Sequence, residues 1–155
     1  MSHIILICSD KEFDVSKLNF DNFNIEICDY SLYCEFENII NKKYVYEVYI
    51  DYNKNSFYEF KKFISENIYI NEQIDILSLW LGGDYSKHIL SMPKFKNIKD
   101  YSFVEEEIDY YYENNYKLKY YYVNAEYFDI NHFYDLMNKY GISITIKKYN
   151  KKTLI

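Results

Sequence analysis

Six carboxylates stand between Asp100 and Glu113, with no lysine among them: Asp100, Glu105, Glu106, Glu107, Asp109 and Glu113. They account for the whole net charge of −6, because the remaining 18 acidic residues are matched by 18 lysines. Three consecutive tyrosines, Tyr110, Tyr111 and Tyr112, lie inside the same stretch. Concentrated negative charge attracts a basic partner over distance, and aromatic rings beside it supply contact area that holds the partner once it has docked. Glu105, Glu106, Asp109, Tyr110, Tyr111 and Glu113 are therefore the candidate partner-binding residues. The opposing reading is a solvated helix face, the usual fate of a charge run. On a helix, however, Glu105, Asp109 and Glu113 would repeat at i, i+4 and i+8, a like-charge spacing that costs a few tenths of a kcal/mol per pair.

Catalytic and metal-binding patterns do not appear elsewhere. Asp51, Asn53 and Asn55 have the first three ligand spacings of a calcium loop. Ser56 then stands where glycine is needed, and Lys62 where the bidentate glutamate is needed. The expectation there is a polar turn leading into a helix. Gly82-Gly83-Asp84 follows an apolar run without the further glycines or the lysine spacing of a phosphate cradle. His3, His88 and His132 are scattered, and no cysteine falls at ligand spacing from them, so no cofactor or metal is expected. Ser86, Lys87 and His88 are adjacent in sequence, which is not a catalytic geometry. An enzyme site assembled from distant residues is invisible to this kind of reading and stands as an alternative.

Composition narrows the partners. The chain contains no arginine, so it lacks the fork that reads phosphate and guanine bidentately. Net negative charge opposes binding to nucleic acid, and the small basic tail of Lys147, Lys148, Lys151 and Lys152 reads as a solvated strand end. Cys8, Cys28 and Cys34 are an odd number and do not suggest a disulfide framework. The apolar run Ile4 to Cys8 is short and lacks a basic start, so no signal peptide is read, and no run of ~18 apolar residues predicts a membrane span. These features together read as a reduced, cytoplasmic protein.

The elements that must carry the acidic segment follow from periodicity. A length of 155 residues with three glycines and one proline predicts a single domain over 1–155. Residues 3–8 read as a buried strand and 74–81 as a central one. Alternation marks further strands at Phe23–Ile25–Ile27, at Tyr44–Tyr46–Val48–Ile50, at Leu118–Tyr120–Tyr122 and at Ile142–Ile144–Ile146. Residues 9–22 read as a polar connection. Helical stripes run through Phe57, Phe60, Ile64 and Ile68, with Ser56 and Glu59 as a capping box, and through Phe133, Leu136, Met137 and Tyr140, stopped by Gly141. A weaker stripe joins Leu32, Phe36, Ile39 and Ile40, with Ser31 as its N-cap. The acidic segment fits a helix capped by Ser102 and Glu105, with Val104, Ile108, Tyr111, Tyr112 and Asn115 inward. It also fits a strand with Tyr110 and Tyr112 on one face. The helix is the preferred reading. Residues 44–60 and 120–136 echo one another at an offset of 76, each reading strand, turn, helix, with a strand to follow. The expectation is an α+β domain with a mixed sheet of about five or six strands and two to four helices, the two echoing units packing their helices on one face.

A small acidic chain with Glu105-Glu106-Glu107-Ile108-Asp109-Tyr110-Tyr111-Tyr112-Glu113 and no catalytic motif resembles the immunity proteins of bacterial toxin systems. That resemblance implies stoichiometric inhibition, with carboxylates and tyrosines blocking the cationic active site of a basic partner such as a toxin nuclease. A nucleic-acid mimic and a structural subunit that pairs through tyrosine-rich strands are the other readings.

Overall fold

The computed structural model describes residues 3–15, 21–69, 72–81, 104–108 (by their backbone), 118–125 and 129–148. Among these, seven strands form one mixed sheet and three helices pack on it, an α+β domain. In chain order the elements are β1 (His3–Ser9), β2 (Phe23–Ile27), α1 (Tyr30–Phe36), β3 (Tyr44–Ile50), α2 (Lys54–Asn67), β4 (Gln73–Trp80), β5 (Val104–Ile108), β6 (Leu118–Asn124), α3 (Ile130–Met137) and β7 (Ile142–Lys147). Across the sheet the order is β2-β3-β1-β4-β7-β6-β5, so the apolar strand over Ile74 to Trp80 occupies the centre, as its composition predicts.

The two echoing segments become two related units. In β6–α3–β7 the strands are adjacent and parallel. In β3–α2–β4 both strands run antiparallel to β1, which sits between them, so they are parallel to each other at one remove. Parallel strands need a crossover, and a helix supplies it in each case. The offset of 76 holds through the helices. Asn53 and Asp129 are the N-caps of α2 and α3, accepting from the N–H groups of Ser56 and Asn131. Phe57 and Phe133 are both fully buried, and their rings meet edge to face at 5.8 Å. In the strands the register differs by one residue, since Tyr46 and Val48 face the helices in one unit and Tyr121 and Val123 in the other.

The sheet has two apolar faces. One buries Ile5, Ile7, Ile74, Ile76, Ile144 and Ile146 beneath the phenylalanine faces of α2 and α3. The other buries Leu6, Leu77 and Leu79 and is covered in part by Phe36 and Ile39. Thus α2 and α3 share one face, as the echo suggests, and α1 packs on the opposite one. The polar connection after β1 also contributes to the core: Phe13 is buried against Tyr46 and Phe63, and its N–H donates to the Tyr46 hydroxyl at 2.9 Å. Burying a phenylalanine contributes on the order of 2 kcal/mol, enough to anchor the loop.

Three local expectations are corrected. Helix α2 begins before the Ser56–Glu59 box, because the Asn53 side chain takes the Ser56 N–H at 2.9 Å. Helix α1 is capped by Asp29, which accepts from Leu32 N–H at 2.8 Å, and Ser31 lies inside it. Tyr140 falls beyond α3 and is half exposed, because the helix ends at Met137. Gly141 takes φ 74°, its N–H donates to Ser78 O at 2.8 Å, and its carbonyl accepts from Lys119 N–H at 2.8 Å. A side chain would obstruct both the turn and that approach between β4 and β6.

Candidate functional site

The acidic segment contains a strand, not a helix, over the residues described: Glu105, Glu106 and Glu107 lie on β5. Strand geometry sends successive residues to opposite faces, which separates three glutamates that a helix would crowd into one turn. It also gives the segment a partner. β5 pairs antiparallel with β6, with Glu105 opposite Tyr121, Glu106 opposite Tyr120 and Glu107 opposite Lys119. Tyrosine and the β-branched residues around it favour a pleated, half-buried surface, and that tertiary opportunity outweighs the local capping pattern. Asp109, Tyr110, Tyr111 and Glu113 lie outside the described residues, as do Asp100, Tyr112, Ser102 and the stretch Gly82 to His88.

β5 is the last strand at one end of the sheet, and among the described residues no strand pairs with its outer side. Consecutive glutamates on an edge strand discourage unspecific strand addition. Behind β5, Tyr120, Tyr121 and Tyr122 of β6 are all buried. Exposed tyrosines occur elsewhere, at Tyr30, Tyr49, Tyr52, Tyr58, Tyr69 and Tyr140.

The fold also assembles polar groups that no sequence spacing reveals. Tyr52 O–H lies 2.7 Å from His3 Nδ1, and His3 Nε2 lies 2.5 Å from Ser78 Oγ. Ser78 Oγ is 2.6 Å from the carbonyl of Lys139. A serine has one proton, and the carbonyl can only accept it. His3 Nε2–H must therefore donate to Ser78, and Tyr52 must donate to Nδ1. The chain of donors runs from Tyr52 to the Lys139 carbonyl, so His3 is not poised to remove a proton from Ser78. Burial lowers the His3 pKa and favours this neutral imidazole. The Tyr52 phenol is pushed up to about 12, by burial first and then by Tyr140, and keeps its proton. Ser78 is fully buried, which closes it to a substrate. The residues are 75 and 49 positions apart, beyond the reach of any local motif.

On the opposite face, the carboxyl of Asp75 is buried in the middle of the sheet, where Thr145 Oγ1 donates to it at 2.7 Å. Burial raises its pKa, and Lys42 and the Thr145 hydrogen bond oppose that shift. Ser143, on the strand that carries Thr145, is also fully buried, and its hydroxyl has no partner among the described residues. The cysteines are free: Cys8 is buried, Cys28 half-buried and Cys34 exposed. Burial pushes the Cys8 thiol well up and the Cys28 thiol up to about 11, away from the reactive thiolate.

The calcium-like turn is a helix cap, since Asn53 Oδ1 accepts from both the N–H and the hydroxyl of Ser56. Among the described residues no three His, Cys, Asp or Glu side chains converge as a metal site requires. His132 is exposed, with its ring 6.4 Å from that of Tyr121. Lys147 and Lys148 sit at the end of β7, while Lys151 and Lys152 lie outside the described residues. Among the described residues no helix is long and apolar enough to cross a membrane. Comparison of the chain with protein-family models, with curated proteins and with solved structures finds no match in any of the three.

Proposed function

We propose that this protein is a cytoplasmic, non-catalytic inhibitor of the immunity kind. It would neutralise a basic protein, such as a toxin nuclease, through the acidic segment around β5. The observation that supports this most is the union of charge and place. The net charge of −6 resides entirely between Asp100 and Glu113, and the described part of that segment, β5, is the terminal strand of the described sheet. Charge of one sign concentrated at an edge raises the rate of encounter with a cationic active site by about 10- to 1,000-fold. The open strand edge then offers backbone groups to the docked partner.

The test is Glu105→Lys with Glu106→Lys, leaving Glu107 opposite Lys119. Edge substitutions of this kind shift stability by no more than about 0.5 kcal/mol each, so the variant should fold. Binding is measured against the product of the neighbouring gene by stopped-flow at two salt concentrations. Association should slow at least ~10-fold at low salt and lose most of its salt dependence. A folded variant with unchanged association rate and unchanged salt dependence would refute the assignment.

A further inference from the structure

The other end of the described sheet also lacks a further strand among the described residues. β2 is the terminal strand there, and among the described residues only β3 pairs with it. Its hydrogen-bonding phase follows from two contacts. Cys28 N–H donates to Val45 O at 3.0 Å, and Asp51 N–H donates to Asn22 O at 3.1 Å. Bonded and non-bonded pairs alternate along an antiparallel ladder. Asn24 and Glu26, two and four residues from Asn22, therefore turn their backbone groups toward β3. Ile25 and Ile27 turn theirs outward.

A cavity of about 390 Å³ opens at the Ile27 end of this edge. Its walls include Ile27, Cys28, Tyr30, Tyr33, Lys43 and Tyr44. Ile27 is 71 % and Tyr30 81 % exposed, which makes them the two most exposed large apolar side chains of the described surface. Contiguous exposed apolar groups around a concavity mark an interaction site more often than scattered ones do.

Charge identifies the occupant. Glu26 stands directly opposite Glu47 in the ladder, a like-charge pair that destabilises the bare sheet. Among the described residues neither forms an ion pair. Tyr49 O–H donates to Glu47 at 2.9 Å, and its own pKa is pushed up to about 12, chiefly by that bond, with Glu47, Glu26 and Asp29 adding to burial. The face is thus acidic, and a second copy of β2 would add carboxylates to carboxylates. A basic strand would relieve the repulsion.

We propose that β2 accepts an extended basic segment of another protein as an eighth strand. The incoming strand would bond to the N–H and C=O groups of Ile25 and Ile27. Its residues on the Glu26 and Glu47 face would be lysine or arginine, and those on the other face apolar. An apolar side chain near Ile27 would enter the cavity. This surface is separate from β5, with the width of the sheet between them.

The experiment uses the full chain and two blocked octapeptides, one alternating Lys and Val and one alternating Glu and Val. Amide hydrogen exchange is followed by NMR. The Lys–Val peptide should slow exchange at Ile25 and Ile27 at least ~10-fold, and the Glu–Val peptide should not. Ile27→Pro removes an outward N–H without breaking the native ladder, so it should fold and lose the peptide. Should that variant unfold, Glu26→Lys with Glu47→Lys serves instead, and it should reverse the preference between the peptides. Protection confined to 104–108, protection that appears with protein concentration alone, or no protection from either peptide would each overturn the proposal. Glu105→Lys with Glu106→Lys should leave the protection at Ile25 and Ile27 unchanged, so the two surfaces stand or fall separately.

Discussion

At the scale of the residue, one set of polar groups has donors and acceptors that balance, while the buried Ser143 hydroxyl has no partner among the described residues. The Tyr52–His3–Ser78 chain ends in a backbone carbonyl, and that direction of donation explains why a histidine beside a serine makes no nucleophile here. Asp75 is less well compensated. Its carboxyl is buried, one hydroxyl donates to it, and its pKa is raised by burial. A raised folded-state pKa means that the folded chain holds the proton more tightly than the unfolded one. Stability then falls as pH rises from the ordinary aspartate value through the folded-state pKa. Asp75→Asn keeps an acceptor for Thr145 and removes the titration. The variant should show a higher thermal midpoint than the parent at pH 7, and the difference should shrink as pH falls toward 4. A difference that stays constant with pH, measured by calorimetry across that range, would mean that Asp75 carries no such penalty.

At the scale of the element, the helices show which local signals dominate. Both caps of the strand–helix–strand units are single Asx side chains, Asn53 and Asp129, placed immediately before the helix. Ser56 and Glu59 have capping-box spacing, but Asn53 precedes them and satisfies the Ser56 N–H first. Glu59 instead accepts from the Asn22 side chain at 3.2 Å. Asn53→Ala should therefore cost about 1 kcal/mol in urea unfolding, as loss of an N-cap does, while Glu59→Ala should cost less than about 0.5 kcal/mol. The reverse order would restore the capping box. The acidic segment shows the opposite balance. Its Ser102–Glu105 spacing suggests a helix start, yet residues 104–108 form a strand because β6 offers a ladder to join. Propensity is a weak prior against a row of backbone hydrogen bonds.

At the scale of the molecule, the sheet is a scaffold with two different faces and two different edges. Helices α2 and α3 meet through the Phe57 and Phe133 rings, the same position of each echoing unit. Phe60 also touches Phe133, at 5.8 Å, and Tyr134 touches Phe57, at 5.4 Å. A double-mutant cycle on Phe57→Leu and Phe133→Leu should give a coupling of about 0.5–1.5 kcal/mol, the usual worth of an aromatic pair beyond its buried area. Additive effects would show that the two units merely lie near each other. The two terminal strands of the described sheet, β2 and β5, both carry glutamates, and like charges disfavour pairing between such edges.

Six of the seven strands, the central place of β4 and the positions of all three helices were written in the periodicity of the chain, although the stripes ran past the ends of α1, at Ile39 and Ile40, and of α3, at Tyr140. Alternation and helical spacing are consequences of which side of an element meets water, and a sequence carries that information residue by residue. The caps Asn53 and Asp129 emerged only with the structure, since the sequence pointed to Ser56 and Glu59 for the start of α2. Only the tertiary structure decided that Glu105 and Glu106 lie on a strand, because the competing helix and strand patterns were close and β6 settled the choice. It alone brought His3 to Ser78 and Tyr52, and Asp75 to Thr145, across 75, 49 and 70 residues. It alone set which backbone groups of β2 point outward, since that phase depends on register with β3. Contacts between residues distant in the chain leave no spacing for a sequence to display.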